Sequence, residues 1–245
     1  MIGSGGLVVR LRQTALSLGW SAALSVAVSV SGASISGKIT LKGDPPPERF
    51  LPLGTLCKKI QASTRPATRT WVVDENGGLA DVIVYLKTGV EGRNFKTPSE
   101  PEVLQQEQCQ FVPQVMAAQV GQEVHLLNTD PLLHSVLVDA EDQANRREAR
   151  AQLPKGKPLK YVFEKPALGI EFKGAIHKWM SAHVAVFPHP FFAVSTKDGG
   201  YTITEVPPGE YTVGIHHRTG ARQEQVVKVG ADNLVGIDFT LKAPQ

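Results

Sequence analysis

Cysteine is scarce in this chain, with Cys57 and Cys109 the only two in 245 residues. Neither lies in the one short stretch where histidine and methionine crowd together, "EFKGAIHKWMSAHVAVF" (171–187), so that stretch supplies no thiolate of its own. An excess of charge of one sign is also missing. The 26 basic and 23 acidic residues nearly cancel, and nothing in that balance calls for nucleic acid. Helical periodicity is sparse, which argues against a helical bundle. There is no His-Glu zinc pattern and no G-x-S-x-G elbow. The chain therefore shows no enzyme machinery, and it reads as a non-enzymatic protein.

A long apolar run is absent too. Residues 1–33 hold Arg10 and Arg12, then "TALSLGWSAALSVAVSV", then Ser31-Gly32-Ala33. A basic start, a short apolar stretch and small residues at −3 and −1 mark a secretory signal peptide, with cleavage expected after Ala33. The run is short for a membrane span, which takes roughly 20 apolar residues; an uncleaved anchor is the alternative. Localisation is expected to be periplasmic or secreted, with no membrane span after cleavage. Without Arg10 and Arg12 the 26 basic residues become 24 against 23 acids. In an oxidising compartment an even pair of cysteines favours a Cys57–Cys109 disulfide over two free buried thiols.

What is present is β pattern. Short runs rich in Val, Ile and aromatics are broken by Gly, Pro and Asp-Gly signals, so the fold class is all-β. "SISGKITLKG" (34–43) alternates and stops at Asp44-Pro45. "LADVIVYLKTG" (79–89) puts Val82, Val84 and Leu86 on one face. Residues 48–70, around Cys57, read as irregular, and 90–107 as a polar loop. From 110 the runs come close together: a strand, a Gly121 turn, a strand over Glu123–Asn128, and another from His134. The polar stretch 141–157, with Arg146, Arg147 and Arg150, reads as a short helix or a long loop. Its arginines are a solvated face or, more sharply, a docking patch for an acidic partner. Further strands follow, up to the closing "SAHVAVF". The last section turns at Asp198-Gly199-Gly200 and at Pro207-Pro208-Gly209.

The histidines divide by context. His177 and Met180 stand three apart in a tight loop, and imidazole with thioether is a soft-metal combination. Met also fills core gaps, so only its spacing to His177 raises it. His134 follows Asn128-Thr129-Asp130-Pro131 and is either a ligand or a hydrogen-bonded strand-start histidine. His183 reads as a partly exposed strand residue, and His189, before Pro190, as positioning a linker. Tyr211, Val213, Ile215 and His217 share a strand face, which turns His217 inward and His216 the other way.

Two segments together resemble a cupredoxin: "FVPQVMAAQVGQEVHLLNTDPLLHSV" and "LKYVFEKPALGIEFKGAIHKWMSAHVAVF". The spacing Gly174–x–x–His177–x–x–Met180 is similar to the amicyanin-type copper loop Cys–x–x–His–x–x–Met. The wider arrangement, with "HKWM" (177–180) and "HPFFAVSTKDGGYTI" (189–203), resembles exported cupredoxin-like proteins named for methylamine utilisation. Their loop reads Cys–x–x–His–Pro–Trp–Met. Three departures stand out: Gly174 in the cysteine slot, Lys178 in place of proline, and Ser135 after the first histidine. "T-x-D-G-x-Y-x-I-x-x-V-P-P-G-x-Y-x-V" (196–213) resembles a carboxypeptidase-regulatory-like or transthyretin-like β-sandwich, a scaffold module.

The resemblance implies a Greek-key cupredoxin-like domain over 108–188. An N-terminal β segment (34–107) and a sandwich segment (189–245) flank it, joined in one composite sandwich or arranged linearly. It implies copper held by His134, His177 and Met180. Because blue copper needs a thiolate, the expected function is that of an exported binding or structural module with a degenerate type-1 site. Weak copper binding, and a periplasmic protein partner or assembly, are part of that expectation. Copper binding or electron transfer as the main function is the alternative.

Overall fold

The computed structural model describes residues 32–61, 65–140 and 143–244 together with Met1. The expected signal peptide lies almost wholly outside the described residues. Its expected cleavage point does not. Ala33 opens strand β1 (Ala33–Lys42), is buried, and pairs with Val206, so a cut after Ala33 would remove a core residue.

Strands dominate, as the patterning requires, and they form four sheets among the described residues. Two of these sheets enclose a first core. In one, β1 lies between β13 (Gly200–Val206), antiparallel, and β16 (Phe239–Lys242), parallel. In the other the order is β12 (Phe192–Val194), β2 (Val82–Thr88), β14 (Gly209–His217) and β15 (Arg222–Val229). Strands from the two ends of the chain therefore share sheets. Val82, Val84 and Leu86 of β2 face this core together with Ile39, Tyr211, Val213 and Ile215.

The other two sheets enclose a second core. One runs β5 (Val115–Gln119), β11 (Ser181–Phe187), β10 (Ala167–Gly174), β7 (His134–Asp139), β8 (Arg147–Gln152). The other runs β4 (Gln110–Val112), β3 (Glu102–Glu107), β6 (Glu123–Asn128), β9 (Leu159–Val162). Leu104, Phe111, Leu126, Val136, Phe163, Ile170 and Phe172 fill the space between them. Residues 102–107, expected to be loop, form a strand lying parallel to β6. Residues 147–152, expected to be helix or loop, form a strand antiparallel to β7. The stretch around Cys57 carries a one-and-a-half-turn helix, α1 (Thr55–Ile60), which turns Cys57 into the second core. The expected boundary at 107/108 thus falls inside the β3–β4 hairpin.

The two sandwiches share a seam. Successive side chains on β2 point to opposite faces, so Ile83 and Tyr85 point away from the first core. They pack on Val115, Ala117, Ala185 and Phe187 of the second sandwich. That accounts for the unbroken apolar run "VIVYL": β2 is buried on both faces.

Candidate metal centre

The β10–β7 register brings the two halves of the site together. Gly174 at the end of β10 lies opposite Val136, two residues past His134. The loop leaving Gly174 is pinned to β7 where the Ala175 N–H donates to the Ser135 carbonyl at 2.7 Å. It closes on itself through Met180 N–H to the His177 carbonyl and Gly174 N–H to the Met180 carbonyl, each 2.9 Å. His177 sits at the tip of this turn. His134 is the first inward-facing residue of β7, in a burial pattern that alternates along the strand.

Their imidazoles meet: His134 Nδ1 is 3.0 Å from His177 Nδ1. The other nitrogen of His134, Nε2, is 2.9 Å from Asp130 Oδ2, and both side chains are buried. A carboxylate at Nε2 holds the proton there and leaves Nδ1 with a lone pair, the outer-shell arrangement that orients metal-binding histidines. Burial pushes the His177 imidazole below its ordinary pKa, His134 adds to that, and Asp130 opposes it. His177 therefore favours its neutral, ligand-competent form.

Asp130 lies four residues before His134, in a stretch whose sequence carries no ligand signal of its own. It has a second task. Gln108 and Cys109 form the two-residue turn between β3 and β4, with φ of 51° and 55°. Such a turn ordinarily takes Asn-Gly or Asp-Gly. Here the N–H groups of Gln108 and Cys109 donate to Asp130 Oδ1 and Oδ2, at 2.6 and 2.8 Å. Cys109 is disulfide-bonded to Cys57, with Cα atoms 5.9 Å apart. One carboxylate thus ties the disulfide-bearing turn to the inner imidazole. The Trp179 indole N–H donates to the Cys109 carbonyl at 3.0 Å, and its ring lies 5.1 Å from that of His177. A polar layer adjoins the pair: Gln152, opposite His134 in the β7–β8 register, accepts from Gln106 Nε2 at 2.6 Å. Asn128 holds the loop to His134 by donating to the Leu132 carbonyl at 2.8 Å.

The donor set decides what such a site could hold. Two nitrogens 3.0 Å apart can both reach one first-row ion at about 2.0 Å each. A blue-copper trigonal set does not fit, because no thiolate is at hand. Cys109, Asp130 and His134 form a compact group, but the Cys109 sulfur is committed to the disulfide. Nor is the cysteine slot open. A Cβ on Gly174 would lie 2.3 Å from the His177 carbonyl oxygen and 3.1 Å from Met180 Cβ. The loop backbone itself fills the space a thiol would need. Met180 is buried and packs in the second core.

The other histidines have separate surroundings. His183 Nε2 is 3.9 Å from Glu171. His189 is buried, its Nε2 donating to the Leu86 carbonyl at 2.9 Å and its Nδ1 accepting from Phe191 N–H. His217 is buried and stacks on Trp71 at 4.2 Å. His216, which faces the other way, is buried as well and takes the Arg222 Nε–H. Arg146 and Arg150 are exposed, as a solvated face requires, and make local contacts: Arg146 pairs with Asp139, Arg147 donates to the Val162 carbonyl, and Arg150 lies over the Tyr161 ring.

Comparison with known proteins matches no family model and no curated protein. Solved structures similar to part of the chain include cupredoxins. The Cu-containing nitrite reductase of Thermus scotoductus is 23% identical over 39% of this chain, at a TM-score of 0.31, and the match spans 24% of the reductase. A purple cupredoxin of Nitrosopumilus maritimus is 18% identical over 35% of this chain and 98% of its own, at 0.29. Amicyanin of Paracoccus versutus is 14% identical over 42% of this chain and 96% of its own, at 0.31.

Proposed function

We propose that the protein is an exported, non-enzymatic cupredoxin-like binding module whose degenerate type-1 site keeps copper binding without blue-copper chemistry. The observation that carries this is the His134–His177 pair, Nδ1 to Nδ1 at 3.0 Å, with Asp130 behind the inner ring. His134 and His177 would hold the ion. Copper bound there would supply a Lewis-acid or one-electron centre. The chain's own part is orientation: Asp130 keeps the Nε2 proton, the 174–180 turn presents His177, and Trp179 and the disulfide brace the turn. Met180, buried three residues after His177, would add a soft donor; a thioether favours Cu(I).

The expected partner would meet the same end of the molecule. Leu133 and Ile176, the chain neighbours of His134 and His177, are 41% and 59% exposed. Exposed apolar residues beside a ligand-bearing loop would meet a periplasmic protein partner if they form one contiguous patch.

Metal analysis of the mature protein after copper loading, with an optical spectrum, tests the reading. One copper per chain and no intense thiolate band are expected. His177→Ala should weaken Cu(I) binding at least tenfold, about 1.4 kcal/mol. His125→Ala, a half-buried histidine paired with Glu123, should change little. Equal losses from both would mark surface binding, and the His–His–Asp chain would then be a purely structural device.

A further inference from the structure

A cleft of about 580 Å³ opens at the seam between the sandwiches. None of the residues around the His134–His177 pair lines it. Ligand pockets favour such interfaces and run roughly 300–1,000 Å³.

Its floor is aromatic. Tyr85 stacks on Phe187 at 4.9 Å, and Phe187 stacks on His189 at 5.7 Å. Gly214 makes the first ring's position available: it pairs with Tyr85 across the β2–β14 ladder, and a Cβ there would meet the Tyr85 ring at 3.1 Å. His189 behaves as a neutral aromatic plate. Both its nitrogens are engaged with backbone, and burial lowers its pKa. Phe95 stands edge-on to His189 at 6.3 Å and forms a wall.

Its rim is cationic. Lys87, Arg93 and Arg222 line the opening, against one carboxylate, Glu91. Glu91 is turned back to accept the Gly89 N–H at 2.7 Å. Lys87 is paired with Glu224 at 2.6 Å. Among the described residues neither guanidinium is in a salt bridge, although the charge of Arg93 is felt by Glu91: Arg93 reaches the Tyr211 hydroxyl at 3.4 Å, and Arg222 donates Nε–H to His216 at 3.2 Å. Each guanidinium carries five N–H donors, so each retains capacity for a planar anion.

We propose that this cleft binds a small planar aromatic carboxylate, its ring on the Tyr85–Phe187–His189 floor and its carboxylate on Arg93 and Arg222. Stacking supplies the apolar part, and the guanidinium fork matches carboxylate geometry.

The probe is 2-naphthoate, titrated into the full chain by calorimetry and by NMR, with 2-naphthalenemethanol as its uncharged counterpart. One site is expected, with naphthoate binding at least tenfold tighter than the alcohol and with shifts at Leu168 and Phe187. Arg93→Gln with Arg222→Gln should abolish the tenfold preference while leaving the alcohol's affinity unchanged. Phe95→Ala should weaken both ligands at least fivefold. The comparison of acid with alcohol on the unaltered protein stands even where a variant fails to fold. No binding at roughly millimolar naphthoate, equal affinity for acid and alcohol, or shifts centred on His134 and His177 would each overturn the proposal.

Discussion

Asp130 holds three donors at once: two turn N–H groups and the His134 imidazole. A buried carboxylate in that position is costly to remove, because its donors are left without an acceptor. Asp130→Ala is expected to lower stability by about 3 kcal/mol, with urea unfolding as the measurement. Asp130→Asn keeps one acceptor oxygen and should recover part of the loss. A loss under about 1 kcal/mol for the alanine variant would mean the positive-φ turn stands without the carboxylate. Gly174 is constrained from the opposite direction. Its missing Cβ is what allows the His177 carbonyl to close the turn. Gly174→Ala should therefore cost about 1–3 kcal/mol, the usual range for overpacking. Gly174→Cys should lose stability similarly and show no intense visible band with Cu(II). The resemblance alone would expect restored colour; the filled slot removes that expectation. A strong band would show that the loop backbone yields.

Among the elements, the helix that carries Cys57 is too short to hold itself. Six residues with no side-chain cap are below what an isolated helix needs. The disulfide closes a separation of 52 residues, which in the chain-entropy account is worth about 4 kcal/mol. Cys57→Ser with Cys109→Ser should show a loss of that order, and the unreduced, unfolded parent should titrate no free thiol. The strands that the sequence left unread have a related explanation. On β3 the inward positions are Leu104 and Gln106, and β8 ends in buried Gln152. Gln106 and Gln152 bond to each other between the sheets. A buried polar pair erases the apolar alternation by which strands are recognised. β8 is also an edge strand, so little of it needs apolar cover. By contrast β2, β5 and β14 were legible because their inward faces are mostly apolar: Val82, Val84 and Leu86, Met116 and Ala118, Tyr211, Val213 and Ile215. That His134 and His177 belong together was implied by the resemblance to a cupredoxin, since 43 residues separate them in sequence. Asp130 was not, because its role depends on a turn 22 residues away in sequence.

At the scale of the whole molecule, the seam joins the sandwiches through titratable groups. Arg218, next to the β14–β15 turn of the first sandwich, donates to Gln114 Oε1 at 3.2 Å and Ser181 Oγ at 3.1 Å in the second. His217 precedes it, and His183 on β11 is near enough to feel its charge. Burial first, then the charge of Arg218, pushes His183 down to about 4. Burial also pushes His217 down to about 4, opposed by the Thr70 carbonyl. An unfolded imidazole takes its proton near pH 6.5. Between pH 6.5 and about 4 the unfolded chain therefore binds more protons at these two sites than the folded one. Their contribution to stability is complete above pH 6.5 and is lost as pH falls through that window, by up to about 1.4 kcal/mol per pH unit for each histidine. Asp81, raised by burial, takes its proton before the unfolded chain does and offsets part of the loss only near the carboxylate range. Unfolding free energies measured from pH 7 to 4.5 should fall steadily. His183→Gln should make that fall clearly shallower, because one of the two groups no longer titrates. A flat profile in the parent would show that neither histidine holds its proton off in the folded state, and that protonation does not loosen the seam.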